Sequence, residues 1–397
     1  MRILQVTNSF KYAWSSGGVV RVAYDTSLEL TKKGHKVTVF TTDRALSKSY
    51  VFKKNQPFEL DGIVVYYFKN LSTSLANIGI TIPYYSPFII PRKLKEFDVI
   101  HIHEPKRIIN VLIYHYAKKH SIPYVFQAHG SLPQSVGLKK QFLNRVFNIL
   151  FTRRLLRDAS KVIALSEIEA EQYKCAGVPA EKIAKVPNGI DLTEYSDLPS
   201  KGSFKKKFNI QENMKIILYL GRLHKAKGID FLIKAYAHMI KTMKCDNTLL
   251  VIAGPDDGYL IYAKQIVTTL KVNDKVVFIG MLSEEDKKCA FVDSDIVVNV
   301  EPKNVYGLVP LEAAACAVPV IVSTGNAISD IVNEGKFGFS VQYGALNELA
   351  CTLLKFISNN SIRADMGKRG REFVFKNYGW SINVDKLEKV YEQITGA

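Results

Sequence analysis

The chain is predicted to fold as two successive doubly wound α/β domains, on three observations. Short runs rich in Val, Ile, Leu and Phe alternate with longer helical patterns; this alternation stops at a turn-rich stretch near residue 190 and restarts after it; and the loops behind the apolar runs collect glycine and charge. A length of 397 residues suits two or three domains, and 47% hydrophobic content with a mean hydropathy near zero suits a well-cored chain rather than a disordered one.

In the first half, strands are predicted at 2–6, 36–40, 99–102, 124–127 and 161–165, separated by helical stretches. Asn188-Gly189-Ile190-Asp191 and the Ser-, Pro- and Gly-containing segment 195–203 mark the interruption. Strands are then predicted at 216–220, 249–253, 276–279, 296–300 and 319–322. The domains are expected at 1–195 and 196–374, with a cleft between them. Ligands of such folds lie beyond the carboxyl ends of the strands, so the loops that follow these strands are where chemistry is expected.

The most informative loop is 304–321. It reads as a strand end, a glycine turn and a helix start with a carboxylate in its first turns. Gly307 allows close backbone approach, Pro310 suits an early helical position, and the free N–H groups there attract phosphate. Glu312, one turn further in, is placed to hold hydroxyls beside a phosphate. The loop at 220–230 sets Arg222 and Lys227 behind an apolar strand, with Gly221 and Gly228 permitting a tight turn. Two fixed cations suit a diphosphate, each charge-assisted hydrogen bond contributing roughly 1.5–3 kcal/mol. A solvated turn with ordinary surface cations fits the same residues.

Gly17-Gly18 follows the first strand and opens a helix, but the stretch lacks the Gly-x-Gly-x-x-Gly pattern of dinucleotide sites. His129 lies just past the strand at 124–127. His101 and His103 alternate along one strand, with no third ligand at readable spacing, so no metal site is expected. Asp293-Ser294-Asp295 precedes a strand, at its amino end, and reads as helix-to-strand punctuation; Asp256-Asp257 is the other acidic pair of metal-binding appearance.

Lys plus Arg minus Asp plus Glu is 54 − 37, or +17, which suits nucleic acid, an anionic membrane or an anionic small substrate. No zinc-finger spacing, aromatic RNP-like strand or basic heptad is present, so nucleic acid is not expected as a partner. The five cysteines are odd in number and scattered, and are read as reduced thiols, several of them in the core. No apolar run of about 18 residues occurs, so a cytoplasmic location is expected.

Gly17-Gly18, His129, Ser166-Glu167, the run from Val186 to Asp191, Gly221-Arg222 with Lys227-Gly228, and the run from Gly307 to Val320, with Gly34-His35 and Trp380, together resemble the family-4 retaining glycosyltransferases of the GT-B fold. The resemblance covers nearly the whole chain. It implies two Rossmann-like doubly wound parallel-sheet domains facing across a cleft. The first would bind the acceptor and the second a nucleotide-sugar such as a UDP- or GDP-sugar, with a helix at 375–397 packing back on the first. It further implies that Arg222 and Lys227 neutralise the leaving diphosphate without metal or other cofactor. Glu312 would then hold the ribose, Leu308 and Val309 would meet the phosphates, His129 would approach the transferred sugar, and Gly17, Gly18, Gly221 and Gly307 would line the donor. Where the family usually carries a first glutamate this chain has Asn304, with Glu301 near enough to substitute. Ala317 and Asn326-Ala327 replace the family's usual glycines.

These implications leave other readings open: a sugar-nucleotide epimerase of related fold, or a catalytically weakened nucleotide-sugar binder in which Asn304 has replaced the first glutamate. Residues 138–157 are basic with apolar residues at helical spacing. They fit either a core-packed helix with a solvated cationic face or a segment lying on an anionic membrane, the latter implying peripheral attachment to its inner face and a lipid-linked acceptor.

Overall fold

The computed structural model describes residues 1–14, 17–46, 53–77, 79–105, 107–132, 151–243, 245, 247–302 and 306–396. The chain divides into two compact units, residues 1–189 with 380–397, and residues 190–379. The expected boundaries at 195/196 and 374/375 are displaced for a physical reason. Ile190 and Tyr195 lie in the core of the second unit, and the Ile190 N–H donates to the Tyr378 carbonyl at 2.8 Å.

Unit 1 is built on an eight-stranded sheet. Its strands are β1 (Arg2–Val6), β2 (Lys36–Thr42), β3 (Pro57–Leu60), β4 (Ile63–Phe68), β5 (Val99–His103), β6 (Tyr124–Gln127), β7 (Lys161–Ala164) and β8 (Ile183–Lys185), in spatial order β3-β4-β2-β1-β5-β6-β7-β8. All pairings are parallel except β3 with β4. The inner strands carry apolar residues on both faces because helices cover both, and β5 is buried along its whole length. The β3–β4 hairpin and β8 go beyond the predicted strands. The hairpin signal was present as Asp61-Gly62 between apolar runs, and both residues adopt positive φ, 52° and 78°, as a tight hairpin turn demands.

The last helix, Trp380–Thr395, belongs to unit 1. The Trp380 indole N–H donates to Asp25 at 2.9 Å, and Glu388 accepts from His35 at 2.7 Å and from Lys33 at 3.1 Å. Residues 375–377, expected in this helix, instead end the preceding one, Asn360–Asn377.

Unit 2 carries a six-stranded parallel sheet of β9 (Lys215–Leu220), β10 (Thr248–Ala253), β11 (Val276–Gly280), β12 (Ile296–Asn299), β13 (Val320–Ser323) and β14 (Gly338–Val341), in order β11-β10-β9-β12-β13-β14. The helix Ile229–Met243 buries Leu232, Ala235, Tyr236 and Met239 at helical spacing, into the same cluster that takes Leu349, Leu353 and Phe356 from the helix Leu346–Ser358. Each of the Leu, Met and Phe side chains among them contributes roughly 1.5–3 kcal/mol on burial. β14 was not predicted, since it opens on glycine; Gly338 is required because an added Cβ would lie 2.1 Å from the Val320 carbonyl oxygen.

Of the cysteines, Cys316 is buried, Cys245 and Cys289 are half-buried, and Cys175 and Cys351 are exposed, so fewer lie in the core than expected. Among the described residues no helix is long and apolar enough to cross a membrane. Of the basic stretch 138–157, residues 138–150 lie outside the described residues; Arg153–Asp158 is a short helix with Leu155 and Leu156 buried.

Candidate functional site

In unit 2 the loops after β9, β10 and β12 meet at the carboxyl edge of adjacent strands. The chain leaves β9 at Gly221, which has φ 155°, passes Arg222, makes a single turn at Lys225–Lys227, and enters the next helix through Gly228 at φ 68°. Gly228 cannot be replaced cheaply, since a Cβ there would lie 2.0 Å from the Val300 carbonyl oxygen. This close approach sets the 221–228 loop against the end of β12. Lys227 Nζ lies 2.6 Å from a carboxylate oxygen of Glu301, whose side chain is 7% exposed. The other Glu301 oxygen accepts from the Asn299 amide at 3.4 Å. The Arg222 guanidinium pairs with Asp257 at 2.6 Å, and the Arg222 carbonyl accepts from the Tyr219 hydroxyl at 3.0 Å.

Asn304 lies outside the described residues. The helix Val309–Ala315 starts as expected, with Pro310 in its first turn. Its first bonds run from the Leu311 and Glu312 N–H groups to the Leu308 carbonyl, so the Leu308 and Val309 N–H groups precede the ladder. Glu312 does not join Arg222 or Lys227 in an ion pair. It pairs with Lys287 at 3.1 Å, and Lys287 also holds Glu284 at 2.8 Å. Burial opposes the charge on Lys287, but the two carboxylates outweigh it and raise its pKa. Lys287 escaped the sequence reading because it sits mid-helix, ahead of β12, with no loop signal around it. Ala317 has φ 59°, the left-handed region that favours glycine, where the family's glycine is expected.

The acidic pairs have structural partners. Asp293 is buried and accepts from the backbone N–H groups of Gly202 and Lys205, while Asp295 accepts from the Ile216 N–H and pairs with Arg363. Asp256 caps the helix Leu260–Thr269 by accepting from the Tyr259 and Leu260 N–H groups.

In unit 1, Gly17 precedes the helix Gly18–Lys32 with φ 105° and ψ −173°, a conformation essentially reserved for glycine, and among the described residues nothing lies within 4 Å of a Cβ added at Gly17 or Gly18. His129 follows β6 and also has positive φ, 52°, which costs a non-glycine residue roughly 1–2 kcal/mol. That conformation is held from below. The Gly130 N–H donates to Glu169 at 2.7 Å and the Ala128 N–H to the Tyr173 hydroxyl at 2.8 Å. Glu169 is fully buried and its second oxygen accepts from the Leu165 N–H. Its signal in the sequence was Ser166-x-x-Glu169, a capping-box pattern: Ser166 caps the helix, and the glutamate turns to the His129 loop.

His129 stands at the end of a stack. The His101 and His103 ring centroids are 4.1 Å apart, and those of His103 and His129 are 5.1 Å apart. Burial depresses all three imidazoles, His101 and His129 to about 3 and His103 well below the ordinary value. Among the described residues no group of three or more His, Cys, Asp or Glu side chains is arranged to hold a metal ion. A base depressed in the folded state stays neutral there while the unfolded chain takes up protons near pH 6.5. The protein is therefore expected to lose stability as pH falls from about 6.5 toward 4, by about 1.4 kcal/mol per pH unit for each imidazole. Melting temperatures across that range check this; the slope should be shallower in His101→Gln, and an unchanged slope there would remove the histidines from the account.

Three comparisons with known proteins bear on these units. Residues 16–194 match the model of Glycosyltransferase Family 4, and residues 200–373 match that of Glycosyl transferases group 1. The N-acetyl-alpha-D-glucosaminyl L-malate synthase of Bacillus anthracis is 23% identical over 390 residues, covering 96% of this chain and 95% of that protein. The alpha-monoglucosyldiacylglycerol synthase of Streptococcus pneumoniae is 26% identical over 334 residues, covering 82% and 72%. Among solved structures, sucrose-phosphate synthase from Thermosynechococcus elongatus superposes with a TM-score of 0.80 at 20% identity, covering 100% of this chain and 99% of that one. Anabaena HepE in complex with UDP and glucose gives 0.77 at 20% identity, covering 99% and 100%.

Proposed function

Since the chain belongs to the group 1 glycosyltransferases and has their GT-B architecture, we propose that it transfers a sugar from a nucleotide-sugar to a hydroxyl of a glycan, a lipid-linked molecule or another acceptor, with retained anomeric configuration and without metal. The observation that carries this reading is the pairing of the two cation-bearing residues, Arg222 and Lys227, on a glycine-bounded loop at the carboxyl edge of the unit 2 sheet. Such groups supply positive charge where a nucleoside diphosphate leaves, and a preorganised donor of this kind contributes roughly 10²-fold or more to rate. Unit 2 is accordingly the donor-binding unit and unit 1 the acceptor-binding one. Glu312, oriented by Lys287, takes the ribose hydroxyls; the Leu308 and Val309 N–H groups take phosphate oxygens; Glu301, with Asn304, takes hydroxyls of the sugar; and His129 contacts the sugar being moved. That HepE was solved with UDP and glucose supports a uridine donor among those to try first.

Titrating the protein with UDP-, GDP- and ADP-sugars in a chelating buffer is expected to raise the melting temperature with one of them, the gain reaching about 2.7 kcal/mol at a hundredfold excess over Kd. Arg222→Ala and Glu312→Ala should each abolish most of that shift. A shift that survives in both variants would place the donor elsewhere, and no shift with any sugar would overturn the nucleotide-sugar reading. The anomeric proton of the product, followed by NMR from the first turnovers, reads the configuration.

A further inference from the structure

A buried chain of side chains in unit 1 ties His129 to the last helix. His129 Nε2 lies 2.8 Å from His103 Nδ1, and His103 Nε2 lies 2.6 Å from the Gln5 amide oxygen. The Gln5 amide nitrogen donates to the Tyr391 hydroxyl oxygen at 3.3 Å, and that hydroxyl lies 2.7 Å from His101 Nδ1. Gln5, His101, His103 and Tyr391 are all buried, and His129 Nδ1 is a buried nitrogen with no hydrogen-bond partner among the described residues.

A neutral imidazole carries one N–H, so each ring that donates at one nitrogen must accept at the other. An amide oxygen only accepts. His103 Nε2 therefore carries the hydrogen and leaves Nδ1 bare, and the bare Nδ1 must receive the N–H of His129 Nε2. His129 Nδ1 is then bare in its turn. The orientation of the Gln5 amide decides the whole sequence, and Tyr391 is coupled to it: with its oxygen accepting from the amide nitrogen, its own hydrogen is left for His101 Nδ1, 2.7 Å away. Were the Tyr391 hydrogen turned to Gln5 instead, the amide would reverse, every donor along the chain would become an acceptor, and His129 would carry its hydrogen on Nδ1.

We propose that Tyr391 and Gln5 are positioning residues that set the tautomer of His129, so that His129 Nδ1 meets the substrate as a hydrogen-bond acceptor and selects a hydroxyl that donates to it. The contact with substrate rests on the glycosyltransfer reading above; the tautomer does not, which separates the two in experiment. The depressed basicity of the three rings is consistent with this device, since a protonated ring would donate at both nitrogens and erase the direction of the chain.

The test uses the full-length protein labelled with ¹⁵N-histidine, without substrate. Two-bond nitrogen–proton correlation distinguishes a bare Nδ1 from a bare Nε2, and His129→Gln assigns the signal. The expected result is Nε2–H with a bare Nδ1 in the native protein and a mixture of tautomers in Tyr391→Phe. Val390→Ala, a packing change on the same helix, should keep the single tautomer even though it removes buried methyl groups. With the donor that raises the melting temperature, Tyr391→Phe should lower kcat on the order of tenfold with KM unchanged, whereas Val390→Ala should not. A native His129 protonated at Nδ1, or nitrogen shifts unmoved by Tyr391→Phe, overturns the proposal whether or not the protein turns over that donor.

Discussion

On the proposed reading, in which the ammonium offsets charge that develops as a diphosphate departs, replacing Lys227 by alanine is expected to lower kcat on the order of 10²–10³-fold, measured at saturating donor. The native pairing complicates the variant in a way that can be separated. Lys227 Nζ lies 2.6 Å from Glu301, and the Glu301 side chain is 7% exposed while that of Lys227 is 25% exposed. Deleting the lysine leaves that carboxylate without its cation, at a cost of about 1–3 kcal/mol in stability. The double variant Lys227→Ala/Glu301→Gln removes the uncompensated charge. It should recover most of the lost melting temperature and little of the lost rate. A single variant within threefold of the native kcat would show that Lys227 holds Glu301 and nothing more.

The second large effect concerns stability. Gly254→Ala should destabilise unit 2 by about 3 kcal/mol, or roughly 6–12 °C in melting temperature for a unit of this size. Gly254 has φ 139°, and an added Cβ would lie 1.9 Å from the Gly221 carbonyl oxygen. Backbone atoms meet backbone atoms there, so no side chain can turn aside. The Gly254 N–H also donates to the Gly280 carbonyl at 2.7 Å, and the Gly221 N–H to the Ala253 carbonyl at 3.0 Å, so displacing one strand end displaces its neighbours. Because Gly221 begins the loop that carries Arg222, the donor-induced shift should weaken in the same variant. Gly258→Ala is the control: its φ is 81° but among the described residues nothing lies within 4 Å of a Cβ, so it bears backbone strain of about 1 kcal/mol alone. Equal melting temperatures for the two variants would dismiss the clash.

Much of the architecture could be read before any coordinates. The parallel strands of unit 2 were legible because each buried run is flanked by turn residues and separated from the next by a helix-length pattern, as with the run from Ile216 to Leu220. The β3–β4 hairpin, with Asp61-Gly62 at its turn, has no helix between its strands and so falls outside the strand–helix alternation that marks the other strands. In the site, Arg222 and Lys227 stood out because charged residues in a glycine-bearing loop behind an apolar strand are chemically unusual, and Glu312 because it opens a helix directly after such a loop. Lys287 and Glu169 did not, for they lie within helices and act through partners far along the chain: Lys287 on Glu312, and Glu169 on the N–H of Gly130.

Periodicity, turn residues and motif spacing are local properties, so the two α/β series, the loops at which chemistry collects and the family to which the chain belongs can be read along the chain alone. The tertiary structure decided which of those residues are partners. Lys227 finds Glu301 because β9 and β12 are neighbours in the sheet, although the residues are 74 apart in the chain. Gln5 finds Tyr391 across 386 residues because the last helix returns to unit 1. The chain of donors and acceptors that ends on His129 has no local pattern, since hydrogen-bond direction belongs to a set of side chains brought together by strand order and helix docking.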